Sequence, residues 1–253
     1  MKNKKKVILV TGGFGNIGLA VSKTLLKQGH TVLIVDSKKF SLNKFDFQFD
    51  DDKLEIFRSN FIKETEIKKI LSLCIKKYKK IDALIHCVYP KTKDWGAKLE
   101  KLKQSSLNLN LNNHLGSTII LCKVIINQFL KQKKGKLILI SSIMGSNNPK
   151  FEDYKKTNMS SPIEYSAIKA AIISITKYLA KFYSNKNINI NCISPGGIKG
   201  NYPKKFINNY KKNCNSKGLL DPIDVANYIK FLISEKSNFI SGQNLVIDDG
   251  WSL

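Results

Sequence analysis

The chain has 253 residues with 43 lysines and arginines against 19 acidic residues, a formal net charge of +24, and its length fits one α/β domain. Arg58 is the only arginine and the lysines are dispersed, which argues against a nucleic-acid partner because arginine usually leads base recognition. No apolar run approaches the roughly 18 residues of a membrane-spanning helix, and five cysteines without CxxC spacing indicate reduced thiols in a cytoplasm and no metal cluster.

The first predicted element is a short apolar strand at residues 6–10. A glycine-rich turn follows at residues 11–18, and an amphipathic helix comes after it. In such a strand–turn–helix unit, backbone N–H groups and the helix N-terminus face a pyrophosphate. This glycine pattern is weak support when it stands alone.

A second buried strand at residues 31–35 ends at Asp36. An acidic residue about 20 positions past the glycines accepts hydrogen bonds from the ribose hydroxyls of NAD and repels a 2′-phosphate. Lys38 and Lys39 soften that repulsion. NAD is therefore favoured as the cofactor, and NADP is the alternative.

The middle of the chain predicts strands at residues 54–58 and 82–88 and helices at residues 63–78 and 102–131. His86, in the fourth strand, is interpreted as a structural histidine near the adenosine pocket. Tyr89 and Trp95 indicate a bulky loop on the substrate side.

A fifth strand, residues 136–140, ends in the paired serines Ser141 and Ser142, and Tyr165 and Lys169 follow four residues apart. That spacing places Tyr165 and Lys169 on one helical face. A nearby ammonium should lower the tyrosine pKa from its usual value of about 10. The serine would then hydrogen-bond a reacting carbonyl or hydroxyl.

From Val7 to about Gly250, these motifs together resemble the short-chain dehydrogenase/reductase family. The resemblance implies an α/β fold with a doubly wound, Rossmann-type, mostly parallel seven-stranded sheet and NAD(P)-dependent interconversion of an alcohol and a ketone. Tyr165 would donate or accept the proton, and Lys169 would lower its pKa and hold the nicotinamide ribose. Ser142 would orient the carbonyl.

The same resemblance implies a set of cofactor contacts, and we predict no metal ligands. Asn60 stands where relatives carry an aspartate near the adenine, and the backbone of Ile198 would receive the nicotinamide carboxamide. The implied contacts are Gly12, Phe14, Asn16, Ile17, Gly18, Asp36, Asn60, Phe61, Cys87, Tyr165, Lys169, Pro195, Gly196 and Ile198.

Relatives also carry an asparagine that supports a proton relay, and two positions compete for it here. A gapless count back from Ser142 places His114 at this position. Asn113, with Gly116, restores the usual N-x-x-G spelling. We prefer His114, whose imidazole can pass protons, and keep Asn113 as the alternative.

Two loops are predicted to bind substrate, at residues 146–163 and 198–218. The first arises because 22 residues separate Ser142 from Tyr165, more than relatives usually have. Tyr154 is nearer the usual spacing, but Asn158 and not lysine follows four residues later, so Tyr165 is preferred.

The insertion, residues 194–198 and the ending 242–253 resemble bacterial oxidoreductases of flagellin modification, which are linked to nonulosonic (legionaminic-type) acid precursors. A sugar phosphate or sugar nucleotide would suit Lys91, Lys93, Lys150 and Lys155 at the mouth of the site. The family packs its C-terminal end at a subunit interface, which implies a homodimer or homotetramer. The alternatives are a catalytically silent NAD-binding module and a reductase of another small carbonyl compound.

Overall fold

Seven parallel strands form one sheet in the order β3-β2-β1-β4-β5-β6-β7 in a computed structural model that describes residues 4–39, 43, 45–60 and 62–253. The expected doubly wound fold is therefore confirmed. The central strands are buried along their whole length and mostly apolar, because helices cover both faces of the sheet. The strands are β1 (Val7–Thr11), β2 (Thr31–Asp36), β3 (Leu54–Arg58), β4 (Ala83–His86), β5 (Gly135–Ile140), β6 (Ile188–Pro195) and β7 (Asn244–Ile247).

Helices bury the two faces of the sheet in separate hydrophobic clusters. The helices are α1 (Asn16–Lys27), α2 (Glu64–Tyr78), α3 (Gln104–Asn110), α4 (Ser117–Lys131), α5 (Ile163–Phe182), α6 (Lys204–Lys211) and α7 (Pro222–Ile233). One cluster packs α1 and α7 against the sheet, and the other packs α2, α4 and α5. Within the described residues, no helix combines the length and apolarity that crossing a bilayer requires.

Two predicted elements differ from the observed ones. The fourth strand ends at His86 and does not extend to residue 88, because the chain turns away after the Cys87 N–H donates to the Thr11 carbonyl (2.9 Å). The predicted helix over residues 102–131 is interrupted by a π-helical segment, Leu111–Gly116, between α3 and α4. Such widened turns are often found at functional sites.

The strand order reverses between β1 and β4. From β1 the chain winds outward through β2 and β3, and from β4 it winds the other way to β7. In open parallel sheets, ligands bind beyond the carboxyl ends of the strands at this switch point. The fold therefore predicts a ligand site at the carboxyl ends of β1 and β4.

All three histidines of the chain are buried and have lowered pKa values. Burial, with neighbouring lysines acting in the same direction, lowers the pKa of His30 to about 4 and that of His86 to about 3. Burial also lowers the pKa of His114 to about 2, with Lys169 and His86 adding to the effect. The folded protein therefore keeps these imidazoles neutral well below pH 6.

This predicts a stability loss in mild acid. Unfolded histidines have a pKa of about 6.5, so below that pH the unfolded state binds more protons and the free energy of unfolding falls. Each histidine contributes a slope of up to about 1.4 kcal/mol per pH unit. Denaturant unfolding between about pH 7 and pH 5 measures the slope, in a window above most carboxylate titration.

His30→Gln provides the control, since glutamine can still accept a hydrogen bond from the Lys6 N–H, which now donates to His30 Nδ1 (3.2 Å). Its slope should be about one third shallower, because one of three titrating groups is removed. A free energy of unfolding that stays constant over this range would contradict neutral burial of the histidines.

Candidate active site

A cleft of about 850 Å³ opens beyond the carboxyl ends of the strands. Phe14 and His114 do not line it, and Phe61 lies outside the described residues. The other predicted site residues are brought together on its walls: Gly12, Asn16, Ile17, Gly18, Asp36, Asn60, Cys87, Ser142, Tyr165, Lys169, Pro195, Gly196 and Ile198.

At one end of the cleft, the glycine turn leaves room that no side chain could share. Gly12 has a φ of +68°, and a Cβ there would lie 2.8 Å from the Cys87 carbonyl carbon. A Cβ on Gly18 would lie 2.2 Å from the Gly12 carbonyl oxygen. The helix α1 begins next to this turn with Gly15 as its N-cap and no side-chain cap. Backbone N–H groups at such a helix start fit a pyrophosphate.

Asp36 lies at the end of β2 with its carboxylate held in place by backbone. Oδ2 accepts a hydrogen bond from the Phe14 N–H (2.9 Å), and Oδ1 accepts one from the Lys38 N–H (3.0 Å). Phe14 thus contributes to the site through its N–H while its side chain is in the core. Each carboxylate oxygen keeps a second lone pair, and Asp36 and Lys38 both line the cleft.

Tyr165 and Lys169 lie one turn apart near the start of α5, which packs against the end of β5. Lys169 Nζ donates to the Ile140 carbonyl (2.8 Å), and Ser141 Oγ donates to the Lys169 carbonyl (2.7 Å). Ser142 Oγ accepts from the Met144 N–H (3.2 Å). These contacts place the Ser142, Tyr165 and Lys169 side chains on one wall of the cleft.

The expected lowering of the Tyr165 pKa is wrong for this structure. Burial raises it to about 12, and a hydrogen bond with Ser142 opposes the shift only in part. Lys169 Nζ lies 5.6 Å from the Tyr165 ring centroid and hydrogen-bonds the backbone instead. Burial also lowers the pKa of Lys169 to about 7, so its positive charge is itself diminished near neutral pH.

His114 and Asn113 occupy the π-helical segment, and only His114 is buried. Its ring centroid lies 5.5 Å from that of Tyr89, and its Nδ1 has no hydrogen-bond partner among the described residues. The assignment of the relay position to His114 stays a prediction. With a pKa of about 2, however, His114 does not titrate near neutrality.

His86 has the structural role that was predicted, but in a different place. Its Nδ1 lies 2.7 Å from Thr11 Oγ1 and its Nε2 3.1 Å from Thr118 Oγ1. The ring is thus held between β1 and α4 and does not line the cleft. The expected position near an adenosine pocket is not observed.

Tyr89, three residues after the end of β4, is the central member of a group of aromatic rings. Its ring centroid lies 5.6 Å from that of Tyr165 and 5.5 Å from that of Trp95. The contacts are edge-on, a favourable geometry for aromatic pairs. Tyr89 and Trp95 therefore form the cleft wall next to Tyr165.

Both predicted loops reach the cleft. Tyr154 and residues 158–162 of the insertion line it. Tyr202, Phe206 and Tyr210 line it from the second loop, where α6 was not predicted. The sequence signal for α6 was the spacing of four between these three aromatic residues.

The four lysines assigned to the mouth have different positions. Lys91 lines the cleft, with Nζ 5.1 Å above the Tyr89 ring. Lys93 does not line it. Lys150 donates to the Trp251 carbonyl (2.6 Å), and Lys155 pairs with Glu152 (3.6 Å). Only Lys91 of the four therefore faces the cleft.

Comparisons with known proteins agree over almost the whole chain. The family model described as enoyl-(acyl carrier protein) reductase matches residues 13–252. The chain is 36% identical over 259 residues to the post-translational flagellin modification protein A of Campylobacter coli, covering 99% of both chains. It is 27% identical to the 7α-hydroxysteroid dehydrogenase of Bacteroides fragilis, over 99% of this chain and 95% of that one.

Among solved structures, the fold is similar to that of a short-chain dehydrogenase from Leptospira borgpetersenii with bound NAD+. The TM-score is 0.88 at 28% identity, over 99% of this chain and 94% of that one. Sequence and structure comparisons therefore agree on one type of domain, while the names of the relatives differ in substrate.

Proposed function

The chain belongs to the short-chain dehydrogenase/reductase family and is an oxidoreductase of that type, and we propose that it interconverts an alcohol and a ketone on a sugar derivative with NAD. One observation supports this most directly. Ser142, Tyr165 and Lys169 share a single cleft with the glycine turn and Asp36. A hydride carrier and a proton donor can therefore meet at one substrate carbon and its oxygen.

The cofactor would be held by the residues that fit a dinucleotide. The turn containing Gly12 would accommodate the pyrophosphate, and Asp36 would accept the ribose hydroxyls. Asn60, just beyond β3, would line the adenosine side of the cleft, and Cys87, just beyond β4, would line its middle. Residues 195–198 would contact the carboxamide. When bound, the nicotinamide ring supplies or accepts the hydride.

In the reductive direction, Tyr165 would give its proton to the carbonyl oxygen as the hydride reaches the carbon. A phenol with a pKa raised to about 12 is fully protonated near neutral pH and ready to donate. Ser142 would hydrogen-bond the same oxygen and fix its position. Lys169, next to Tyr165, would help to replace the proton, since its pKa of about 7 permits exchange at neutral pH.

His114 is proposed as the further member of the proton path, with Asn113 as the alternative. The imidazole is neutral, and its Nδ1 is buried without a partner among the described residues. A neutral imidazole has one donor and one acceptor nitrogen, so it can pass a proton without holding a charge.

The residues that line the substrate side of the cleft support the proposal that the substrate is a sugar with an anionic group. Its walls combine aromatic rings, such as Tyr89 and Trp95, with the hydroxyls of Ser160 and Ser161. Lys91 supplies a positive charge there, over the Tyr89 ring. Aromatic faces pack against the apolar C–H faces of a sugar, and hydroxyls bond its polar edge. A sugar phosphate or sugar nucleotide used in flagellin glycosylation, as the name of the Campylobacter relative suggests, has this chemistry.

We further propose a homodimer or homotetramer in the cytoplasm. Tyr178 and Phe182 stack on α5 with centroids 5.9 Å apart, and both are mostly exposed. Aromatic residues are enriched at protein–protein interfaces. The five cysteines are free, as expected in a reducing compartment. A monomer in analytical ultracentrifugation would contradict the assembly.

The proposed substrate class predicts a ranking of activities. With NAD or NADH, the protein should turn over at least one phosphosugar or sugar nucleotide with a higher specificity constant than a hydroxysteroid or a 3-oxoacyl thioester. Nicotinamide absorbance measures this over a panel of these compounds. Turnover of the steroid or the thioester alone would refute the sugar assignment while leaving the oxidoreductase in place.

The cofactor choice depends on Asp36. Its charge should weaken NADP binding by about 1–3 kcal/mol, or roughly ten- to a hundredfold, because NADP brings a phosphate against a largely buried carboxylate. Lys38 and Lys39 are exposed, so they offset little of this. We predict that the protein prefers NAD and that Asp36→Ser moves the preference toward NADP.

Asp36→Asn is the matched variant that separates the effect of charge from that of size. It removes the charge while keeping the size and an acceptor for the Phe14 N–H. The specificity constants for both cofactors, in each variant, provide the measurement. A wild type that prefers NADP would show that the two lysines outweigh the aspartate.

A further inference from the structure

The inserted segment 146–163 is anchored by Asp153, a residue that does not line the cleft. Asp153 lies in its 3₁₀ turn and is 1% exposed. Its Oδ2 accepts from the Trp251 indole N–H (2.9 Å), and its Oδ1 accepts from Asn213 Nδ2 (2.7 Å). A buried carboxylate is costly unless both oxygens find donors. These bonds therefore fix the turn against the C-terminal residues of the chain.

A second residue of the insertion holds the same tryptophan. Lys150 Nζ donates to the Trp251 carbonyl (2.6 Å) and lies 4.9 Å above the indole ring, a cation–π distance. Trp251 is fully buried. The insertion thus binds the indole N–H, the ring face and the backbone of one residue, which leaves that residue little freedom to move.

Trp251 in turn contacts α6 and limits its movement. Its indole stacks on Tyr210, with ring centroids 5.7 Å apart and an interplanar angle of 14°. The Tyr210 hydroxyl in turn accepts from the Gly197 N–H (2.7 Å). A Cβ on Gly196 would lie 2.8 Å from this hydroxyl oxygen, so the turn at 195–198 rests directly on the tyrosine.

A continuous set of contacts therefore joins the substrate side of the cleft to the turn on its cofactor side. Asp153 and Trp251 do not themselves line the cleft, whereas Tyr154, next to Asp153, does. We propose that Asp153, Trp251 and Tyr210 are positioning residues that hold the insertion and the turn at 195–198 in one register. Cofactor affinity then depends on a loop that the cofactor need not touch. This inference rests on the proposed binding of NAD at that turn.

NADH binding, followed by nicotinamide fluorescence without substrate, tests the proposal. Tyr210→Phe keeps the stack on Trp251 and removes only the acceptor of the Gly197 N–H. Its Kd for NADH should rise about two- to tenfold, as for the loss of one hydrogen bond. Asp153→Asn keeps the size of the side chain but presents an NH₂ group to one of its two donors. The Kd of this variant for NADH should also rise.

The double variant separates a shared register from two independent defects. If the residues act through one set of contacts, the Kd increase in Asp153→Asn/Tyr210→Phe should be smaller than the product of the single increases. Should Asp153→Asn not fold, Trp251→Phe takes its place, because it retains an aromatic ring on Tyr210 and deletes the indole N–H.

Glu152→Gln is the control for charge. It removes the same charge one residue earlier, at an exposed side chain paired with Lys155, and should bind NADH as the wild type does. An Asp153→Asn protein that melts at a lower temperature yet binds NADH normally would overturn the proposal, as would multiplicative effects in the double variant. A wild type that binds neither NADH nor NADPH would instead overturn the proposed function.

Discussion

Two reciprocal hydrogen bonds join α5 to the end of β5, and the site depends on them. Lys169 Nζ donates to the Ile140 carbonyl, and Ser141 Oγ donates to the Lys169 carbonyl. The turn that follows Ser142 can approach α5 closely because residue 145 is glycine. A Cβ there would lie 2.6 Å from the Lys169 carbonyl carbon. A buried ammonium needs such an acceptor, so the bonds fix the helix start. Tyr165 is thereby held beside the strand end that presents Ser142.

The rest of the cleft is arranged around this junction by the strand order. The reversal between β1 and β4 leaves room for the glycine turn on one side. On the other side, a third hydrophobic cluster, separate from the two that cover the sheet, supports the cleft walls. It packs the fully buried Trp251 with Tyr210 and Phe206 and extends to Tyr154 and Tyr165. The cluster links the insertion, α6 and the C-terminal residues, so this side of the cleft is built from three distant parts of the chain.

Short-range features were predictable from the sequence, and long-range contacts were not. The glycine turn and the four-residue spacing of Tyr165 and Lys169 are local patterns, so their places in a strand–turn–helix unit and on one helical face followed directly. The pKa of Tyr165 did not follow, because its direction depends on how deeply the ring is buried and on where the Lys169 ammonium points. The contact between Asp153 and Trp251 joins residues nearly a hundred positions apart, and no sequence pattern indicates it.

Composition did not predict which lysines face the cleft, because their positions also depend on long-range contacts. The sequence offered several near the mouth, but only the fold decides that Lys91 faces the cleft while Lys150 binds Trp251. The π-helical turn at His114 was also not predicted, because the apolar pattern over residues 102–131 was interpreted as one continuous helix. Helix and strand identities were therefore more predictable than their ends and interruptions.

The central claim is that Tyr165 moves the proton while the cofactor carries the hydride. Tyr165→Phe tests it most directly, because the ring stays in place and only the hydroxyl is lost. Turnover should fall by about 10²-fold or more, with the Kd for NADH close to that of the wild type. A variant that keeps most of its turnover would contradict the claim.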